Sequence, residues 1–178
     1  MQTRFDPFVE TLVPSDELII SRTDLSGKIT YANETFALIS GYEIDELIGK
    51  PHNIVRHPDM PRSIFKGLWH RLHTEGSWCG YVKNLRKDGG YYWVYAEISG
   101  VYKDGVLIEY KSLRAPVEDD KKREVQALYD ELKVKEEGVI RVVTYLNTQS
   151  VQKIKTLALE KQCDEDELIN DILNDSLF

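Results

Sequence analysis

The stretch Asp24–Phe36, DLSGKITYANETF, contains the features that decide the fold. Its first four residues are typical of a tight turn, and β-forming residues lie on both sides, at Leu18–Arg22 and Lys28–Ala32. This pattern predicts a β-hairpin. Asn33 is a favoured N-cap residue, so we expect the second strand to pass directly into a short helix.

Residues beyond this hairpin predict the rest of an α+β domain. Three β-rich runs, at Trp78–Arg86, Tyr91–Tyr102 and Val106–Arg114, are separated by KDGG and KDG, which are hairpin signals. A helix that begins at Pro61 has apolar residues at spacings of three and four. We therefore expect a five-stranded antiparallel sheet with short flanking helices, and a ligand cavity between the sheet and the Pro61 helix.

Composition limits the classes of function. The 178 residues carry a formal net charge of −7, which argues against broad non-specific attraction to nucleic acid or anionic membranes. No apolar run approaches the roughly 20 residues that cross a bilayer, so no membrane insertion is expected. The two cysteines, Cys79 and Cys163, form no CxxC motif, which predicts reduced thiols in a cytoplasmic protein and no metal site. No nucleophile–base pair or phosphate-binding loop indicates an enzyme.

The spacing of glycine, polar and aromatic residues resembles a PAS domain over residues 15–116. The pattern D-x-x-G-x-I-x-Y-x-N-x-x-F is followed by GY, by EL-x-G and by W-x-G-x-x-x-N-x-R-K-D-G-x-x-Y-W. Its members here are Asp24, Gly27, Ile29, Tyr31, Asn33, Phe36, Gly41, Tyr42, Glu46, Leu47, Gly49 and the run Trp78–Trp93. The resemblance implies a PAS fold and leaves the ligand open, because this fold hosts many functions.

A second stretch, GKPHNIVRHPDMP followed by LW, resembles the FAD-binding PAS domain of bacterial aerotaxis receptors. The resemblance implies non-covalent FAD and a redox or oxygen sensor for aerotaxis or energy taxis, which signals to a chemoreceptor-like protein or a kinase. FAD rather than FMN rests on this resemblance alone. The cofactor-binding residues that it implies are Asn33, Arg56, His57, Asp59, Trp69 and Asn84, with Trp93 as a weaker candidate for the cavity wall.

Residue chemistry agrees with a flavin. Arg56 offers a fork of donors for phosphate or for a flavin carbonyl. Trp69, on the apolar face of the Pro61 helix, is suited to lie against the ring system. Asn33 and Asn84 carry amides that can both donate and accept hydrogen bonds at the polar edge of the ring. Asp59 is expected to orient Arg56 or His57, because a carboxylate would repel the pyrophosphate.

Each candidate also has a simpler interpretation. Asp59 and Asn33 are both suited to cap helices, Trp69 to a core position, and His57 to a loop before Pro58. The remaining histidines, His52, His70 and His73, are interpreted as surface or helix-face residues.

Two other cofactor types fit the sequence less well. Haem would need an axial histidine, for which His57 or His73 could serve. A light-sensing flavin domain would need a cysteine in a motif that resembles NCRFLQ, and the corresponding stretch HNIVRHP has none.

The chain after Pro116 predicts two further segments. Residues 1–14 precede the PAS domain. Residues 117–138 are predicted to form a connector helix that ends at Gly138 and carries an apolar stripe of Val125, Leu128 and Leu132. Residues 139–178 are similar to a ribbon-helix-helix unit, with a strand at Arg141–Leu146 and helices at Thr148–Lys161 and Asp164–Leu177. Such a unit predicts a homodimer, because it is too small to be stable alone.

This C-terminal unit also offers an alternative function, a flavin-responsive DNA-binding transcription regulator. In a ribbon-helix-helix protein, Arg141, Val143 and Tyr145 would face outward from the strand towards DNA. The four basic and seven acidic residues from Arg141 to Asp175 give 4 − 7 = −3, which is poorly suited to phosphate contact. Dimerisation without DNA binding is therefore the favoured interpretation.

Overall fold

The structure, a computed structural model, describes residues 9–145 and Thr156. The elements are β1 (Ile19–Thr23), β2 (Ile29–Ala32), α1 (Glu34–Ser40), α2 (Ile44–Leu47), a 3₁₀ helix (His52–Val55), α3 (Arg62–Thr74), β3 (Ser77–Leu85), β4 (Tyr91–Lys103), β5 (Val106–Ala115) and α4 (Asp119–Tyr145). The chain divides into two units after Tyr129, and the first contains the sheet and helices α1 to α3.

The five strands form one antiparallel sheet in the order β2-β1-β5-β4-β3. The first hairpin therefore pairs with the last strand, and β3 lies at an edge. This confirms the predicted α+β fold and the predicted five-stranded sheet. The register aligns Ser21 with Ser112, and Arg114 with Ala96, so these side chains share the inner face of the sheet.

The predicted turn and helix cap hold the first hairpin. The Asp24 carboxylate accepts hydrogen bonds from the amides of Ser26 and Lys28, both at 2.9 Å, and Gly27 adopts φ +82°. The Asn33 side chain accepts from the amides of Phe36 at 3.1 Å and Ile20 at 2.9 Å. Asn33 therefore joins β1 to the beginning of α1.

Helices α1 to α3 cover the inner face of the sheet. The fully buried apolar side chains of this layer include Ile19, Ile29, Phe36, Leu47, Val55, Tyr92 and Val94. Leu68 and Leu72 of α3 form a separate cluster with Tyr110 of β5. Because burying one such side chain contributes about 1.5–3 kcal/mol, this layer supplies most of the stability that holds the helices on the sheet.

The beginning of α4 covers the outer face of the sheet. Val125 and Tyr129, one helical turn apart, are buried, whereas Leu128 is exposed. The Tyr129 ring stacks on Trp93 with 6.2 Å between centroids, and its hydroxyl donates to the Tyr81 carbonyl oxygen at 2.7 Å. Of the predicted stripe, Val125 therefore packs on the sheet with Tyr129, while Leu128 lies outside this contact.

Helix α4 continues through Gly138 to Tyr145, so the predicted end at Gly138 is wrong. The strand predicted at Arg141–Leu146 is also wrong as far as Tyr145. Strand alternation no longer places Arg141, Val143 and Tyr145 on one outward face. Apolar residues at Val139 and Val142 continue the heptad spacing of Leu132, while one helical glycine costs only about 1 kcal/mol.

The remainder of the predicted ribbon-helix-helix unit, with its two helices and its dimer contact, falls on residues outside those described. No helix within residues 9–145 is long and apolar enough to cross a membrane.

Candidate ligand-binding cavity

A cavity of about 280 Å³ lies between the inner face of the sheet and helix α3, where the sequence predicts one. Its wall is formed by β1, β3, β4, β5, α3 and the segment around the 3₁₀ helix. The volume is slightly below the usual range of ligand pockets, which is about 300–1,000 Å³. It suits a planar ring system better than a whole dinucleotide.

Two apolar surfaces face each other across this cavity. Helix α3 contributes Phe65, Leu68, Trp69 and Leu72, and the sheet contributes Val82, Ala96 and Ile98. The Trp69 ring packs edge-on against Tyr110, with 5.8 Å between centroids, and remains 39% exposed. Trp69 therefore lies at the rim, as part of the wall that was predicted for it.

The opposite wall is polar and surrounds Arg114. The Arg114 Nη2 atom donates to Ser21 Oγ at 2.9 Å and lies 2.7 Å from His52 Nε2. His52 therefore accepts this hydrogen bond as a neutral ring. Its pKa is lowered to about 3, first by burial and then by the positive charge of Arg114. Burial also lowers the pKa of Arg114 to about 10, which leaves it charged at neutral pH.

Two buried polar atoms at this wall lack a hydrogen-bond partner among the described residues. They are Arg114 Nη1 and Ser112 Oγ, in side chains that both line the cavity. An unpaired buried donor costs about 1–3 kcal/mol, and more when it is charged. The cavity therefore lacks an acceptor group that a ligand can supply.

Arg56 and Asn84, two of the residues predicted from the sequence, also line the cavity. An isolated antiparallel bridge pairs their backbones. The Arg56 guanidinium lies 4.0 Å from the centroid of the Phe65 ring, and the Asn84 side chain is buried. Arg56 thus offers a cation, and Asn84 an amide, on the β3 side of the cavity.

His57 and Asp59 are not part of the cavity wall. The Asp59 carboxylate lies 2.7 Å from Lys83 Nζ and 3.4 Å from His57 Nδ1. His57 is buried, with its ring edge-on to Tyr91 at 6.0 Å. Asp59 therefore contacts His57, one of its two expected partners, but it also bonds Lys83, which the sequence did not predict.

The prediction that Trp93 forms a cavity wall is wrong. Trp93 pairs with Lys83 in the register, so its side chain points to the outer face and packs on Tyr129. Asn33 is not part of the cavity wall either. Its side-chain amide instead bonds the backbone of Leu18, Ile20 and Phe36.

The polar wall around Arg114 was missed by the sequence analysis. Its signal is the alternation of β5, which places Tyr110, Ser112 and Arg114 on one face. An arginine and a serine that alternate with a core aromatic are unusual in a half-buried strand and mark a polar site. His52 was interpreted as a surface residue, yet it contacts Arg114.

Comparisons with known proteins agree with this architecture. Residues 29–114 match the PAS fold family. The aerotaxis receptor of Escherichia coli K12 is 43% identical over 122 residues, which cover 68% of this chain and 24% of the receptor. The nitrogen fixation regulatory protein of Klebsiella pneumoniae is 31% identical over 60% of this chain and 22% of its own length. This chain therefore spans less than a quarter of either relative.

A solved structure supports the fold. The crystal structure of a PAS domain from Colwellia psychrerythraea has a TM-score of 0.52 and 24% sequence identity, and it covers 56% of this chain and 86% of that domain. The described residues contain no group of histidine, cysteine, aspartate and glutamate side chains suited to hold a metal ion.

Proposed function

Because this chain contains a PAS domain, we propose that its cavity binds FAD non-covalently and that the protein reports redox state or oxygen to a signalling partner. The observation that carries the proposal is the pair of buried donors without partners among the described residues, Arg114 Nη1 and Ser112 Oγ, beside an apolar slot. A flavin ring has a flat apolar body and a polar edge, so it matches both features.

The residues present fit the parts of this cofactor. Phe65 and Trp69 offer apolar contact for the ring, and Asn84 offers an amide for its polar edge. The pyrophosphate extends beyond the small cavity, and Arg56 is the cation suited to hold it. The bound flavin supplies reversible uptake of electrons, while this chain supplies only binding and a conformational response.

The route of that response begins at β3. Asn84 faces the cavity, and its neighbour Lys83 points to the opposite face of the sheet. Lys83 Nζ bonds Asp59 at 2.7 Å and the Gln126 side-chain oxygen of α4 at 3.2 Å. A shift of Asn84 towards or away from the ligand therefore changes the contacts that hold the beginning of α4, so two flavin states can favour two arrangements.

The partner belongs to the same proposal. A relative that is 43% identical is named an aerotaxis receptor, so we assign this chain to aerotaxis or energy taxis, with a chemoreceptor-like protein or a kinase as its partner. The reduced thiols predicted for Cys79 and Cys163 make the cytoplasm the proposed location. The protein acts as a switch without turnover, and homodimerisation stays a prediction.

The absorbance spectrum of the purified protein tests FAD binding. We expect flavin bands that dithionite bleaches and air restores, and chromatography of the released cofactor should identify FAD rather than FMN. An Asn84→Leu variant should retain less flavin, whereas Lys103→Met, at the far end of β4, should match the wild type. A colourless protein that FAD cannot reconstitute, or a haem band, would contradict the proposal.

A further inference from the structure

We propose that Arg114 and Ser112 form a donor site for the negative edge of the bound flavin ring, and that Arg114 raises the reduction potential of the flavin. This inference rests on the proposed flavin binding and names the residues that tune it.

The geometry of β5 gives these two side chains a shared target. They are two residues apart on the same face of the strand, and both line the cavity. Ser112 and Arg114 are only 6% and 4% exposed. Arg114 uses Nη2 for Ser21 and His52, so Nη1 and the Ser112 hydroxyl are the donors left for a ligand acceptor.

The Arg114 side chain is fixed before any ligand arrives. Its guanidinium lies 5.0 Å from the centroid of the Phe36 ring, and that ring stacks on His52 at 5.6 Å. With Ser21 as a further partner, the guanidinium is held in a direction that gives Nη1 no partner in the part of the chain that the structure describes. A preorganised donor of this kind favours a ligand that needs it, because no reorganisation accompanies binding.

The charges at the cavity wall all have one sign. The wall includes two cationic side chains, Arg56 and Arg114, and no carboxylate among the described residues. This is unexpected in a chain with a net charge of −7. His52, which lines the same wall, is held neutral beside Arg114 and so adds no competing positive charge.

This arrangement affects the flavin equilibrium through charge. Uptake of two electrons from a reductant such as dithionite, together with one proton from water, adds one net negative charge to the ring. A buried cation stabilises the negatively charged reduced ring more than the neutral oxidised ring, because the surroundings screen the attraction only weakly. Removing the Arg114 charge should therefore lower the reduction potential.

The first variant, Ser112→Ala, removes only a hydroxyl that has no hydrogen-bond partner within the described chain. We expect the FAD-free protein to be at least as stable as the wild type, because no hydrogen bond is lost. The dissociation constant for FAD should rise by about 2–10-fold, the value of one neutral hydrogen bond. A merely structural serine would give the reverse result, with a less stable FAD-free protein and unchanged FAD affinity.

The second variant, Arg114→Met, tests the charge by spectroscopic titration of the reduction potential. We expect the oxidised-to-reduced ratio at fixed potential to increase at least tenfold, which is about 30 mV for a two-electron couple. Arg114→Lys keeps a positive charge and should therefore show a smaller shift than Arg114→Met. The control Arg22→Met removes a half-exposed cation from the outer face of the same sheet and should keep the wild-type potential.

The outcomes separate this inference from the proposed function. If the wild type binds no FAD, both fail. If the wild type binds FAD but Arg114→Lys and Arg114→Met keep its potential, and Ser112→Ala keeps its affinity, flavin binding stands and the donor site is overturned. Should Arg114→Met not fold, Arg114→Gln takes its place, because it also removes the charge and is expected to lower the reduction potential.

Discussion

The carboxylate of Asp59 lies 2.7 Å from the ammonium group of Lys83, although 24 residues separate them in the chain. Asp59 belongs to the segment between the 3₁₀ helix and α3, and Lys83 to the edge strand β3. Lys83 also bonds Gln126 at 3.2 Å, so one side chain joins the segment beside the cavity to helix α4. The Asp59–Lys83 ion pair therefore connects the segment beside the cavity to the side chain that contacts helix α4.

Asp59→Asn should uncouple α4 from the redox state with little loss of stability. The Asp59 side chain is 41% exposed, so we expect a cost of at most about 1 kcal/mol in unfolding free energy. Limited proteolysis within residues 117–138 should differ between oxidised and reduced wild type and become equal in the variant. Glu75→Gln, which breaks the exposed Arg71–Glu75 pair, is the control and should keep the wild-type difference. Persistence of that difference in Asp59→Asn would contradict this route.

Asn33→Ala should destabilise the protein in the absence of flavin. The substitution removes the bonds from Ile20 and Phe36 amides, and the 2.7 Å bond to the Leu18 carbonyl oxygen. Loss of the cap together with an unpaired backbone amide should lower the unfolding free energy by about 2–3 kcal/mol, as measured by urea denaturation. Thr35→Ala, at a half-buried neighbouring position where only the exposed bond to Glu17 is lost, is the control. If Asn33→Ala instead weakened only FAD binding, the cofactor contact first predicted for Asn33 would be restored.

Local signals made most of the fold predictable. The Asp24–Gly27 turn, the Asn33 cap and the two KDG-type turns each determine the chain direction through contacts a few residues apart. The end of α4 was not predictable in the same way. The run Val139–Tyr145 has β-branched residues and follows a glycine, so local propensity favours a strand, while the heptad spacing favours a helix.

The site residues were predictable only where the residue type by itself indicates a binding role. Arg56, Trp69 and Asn84 lie at the cavity as expected. Trp93 does not, because a face assignment needs the strand register, and one step along β4 reverses it. Arg114 was missed because its significance depends on burial and on an unpaired atom, which only the packed structure reveals.

Acidic pH should destabilise the protein partly through His52. Its folded pKa is about 3, below its ordinary value of 6.5, so the unfolded chain binds a proton first as the pH falls. The contribution of His52 to stability is therefore fully present above about pH 6.5 and lost progressively towards pH 3. His52 changes the unfolding free energy by at most about 1.4 kcal/mol per pH unit.

Urea denaturation of wild type and His52→Asn at pH 7.5, 6 and 5 measures this slope. The variant should lose less stability than the wild type on acidification, and His70→Asn, at an exposed position of α3, should follow the wild type. Parallel pH profiles for wild type and His52→Asn would show that His52 is not held neutral by its surroundings.

Tyr129→Phe should loosen α4 from the sheet while keeping its ring contact with Trp93. The variant loses the 2.7 Å bond to the Tyr81 carbonyl oxygen, which we expect to cost about 1 kcal/mol. Tyr129→Ala also removes the buried ring and should cost about 3–5 kcal/mol. Leu128→Ala changes an exposed neighbour on the same helix and should have little effect. Limited proteolysis within residues 117–138 should be fastest for Tyr129→Ala, slower for Tyr129→Phe and slowest for the wild type, which would establish Tyr129 as the anchor of α4. Equal cleavage rates would place that anchor elsewhere.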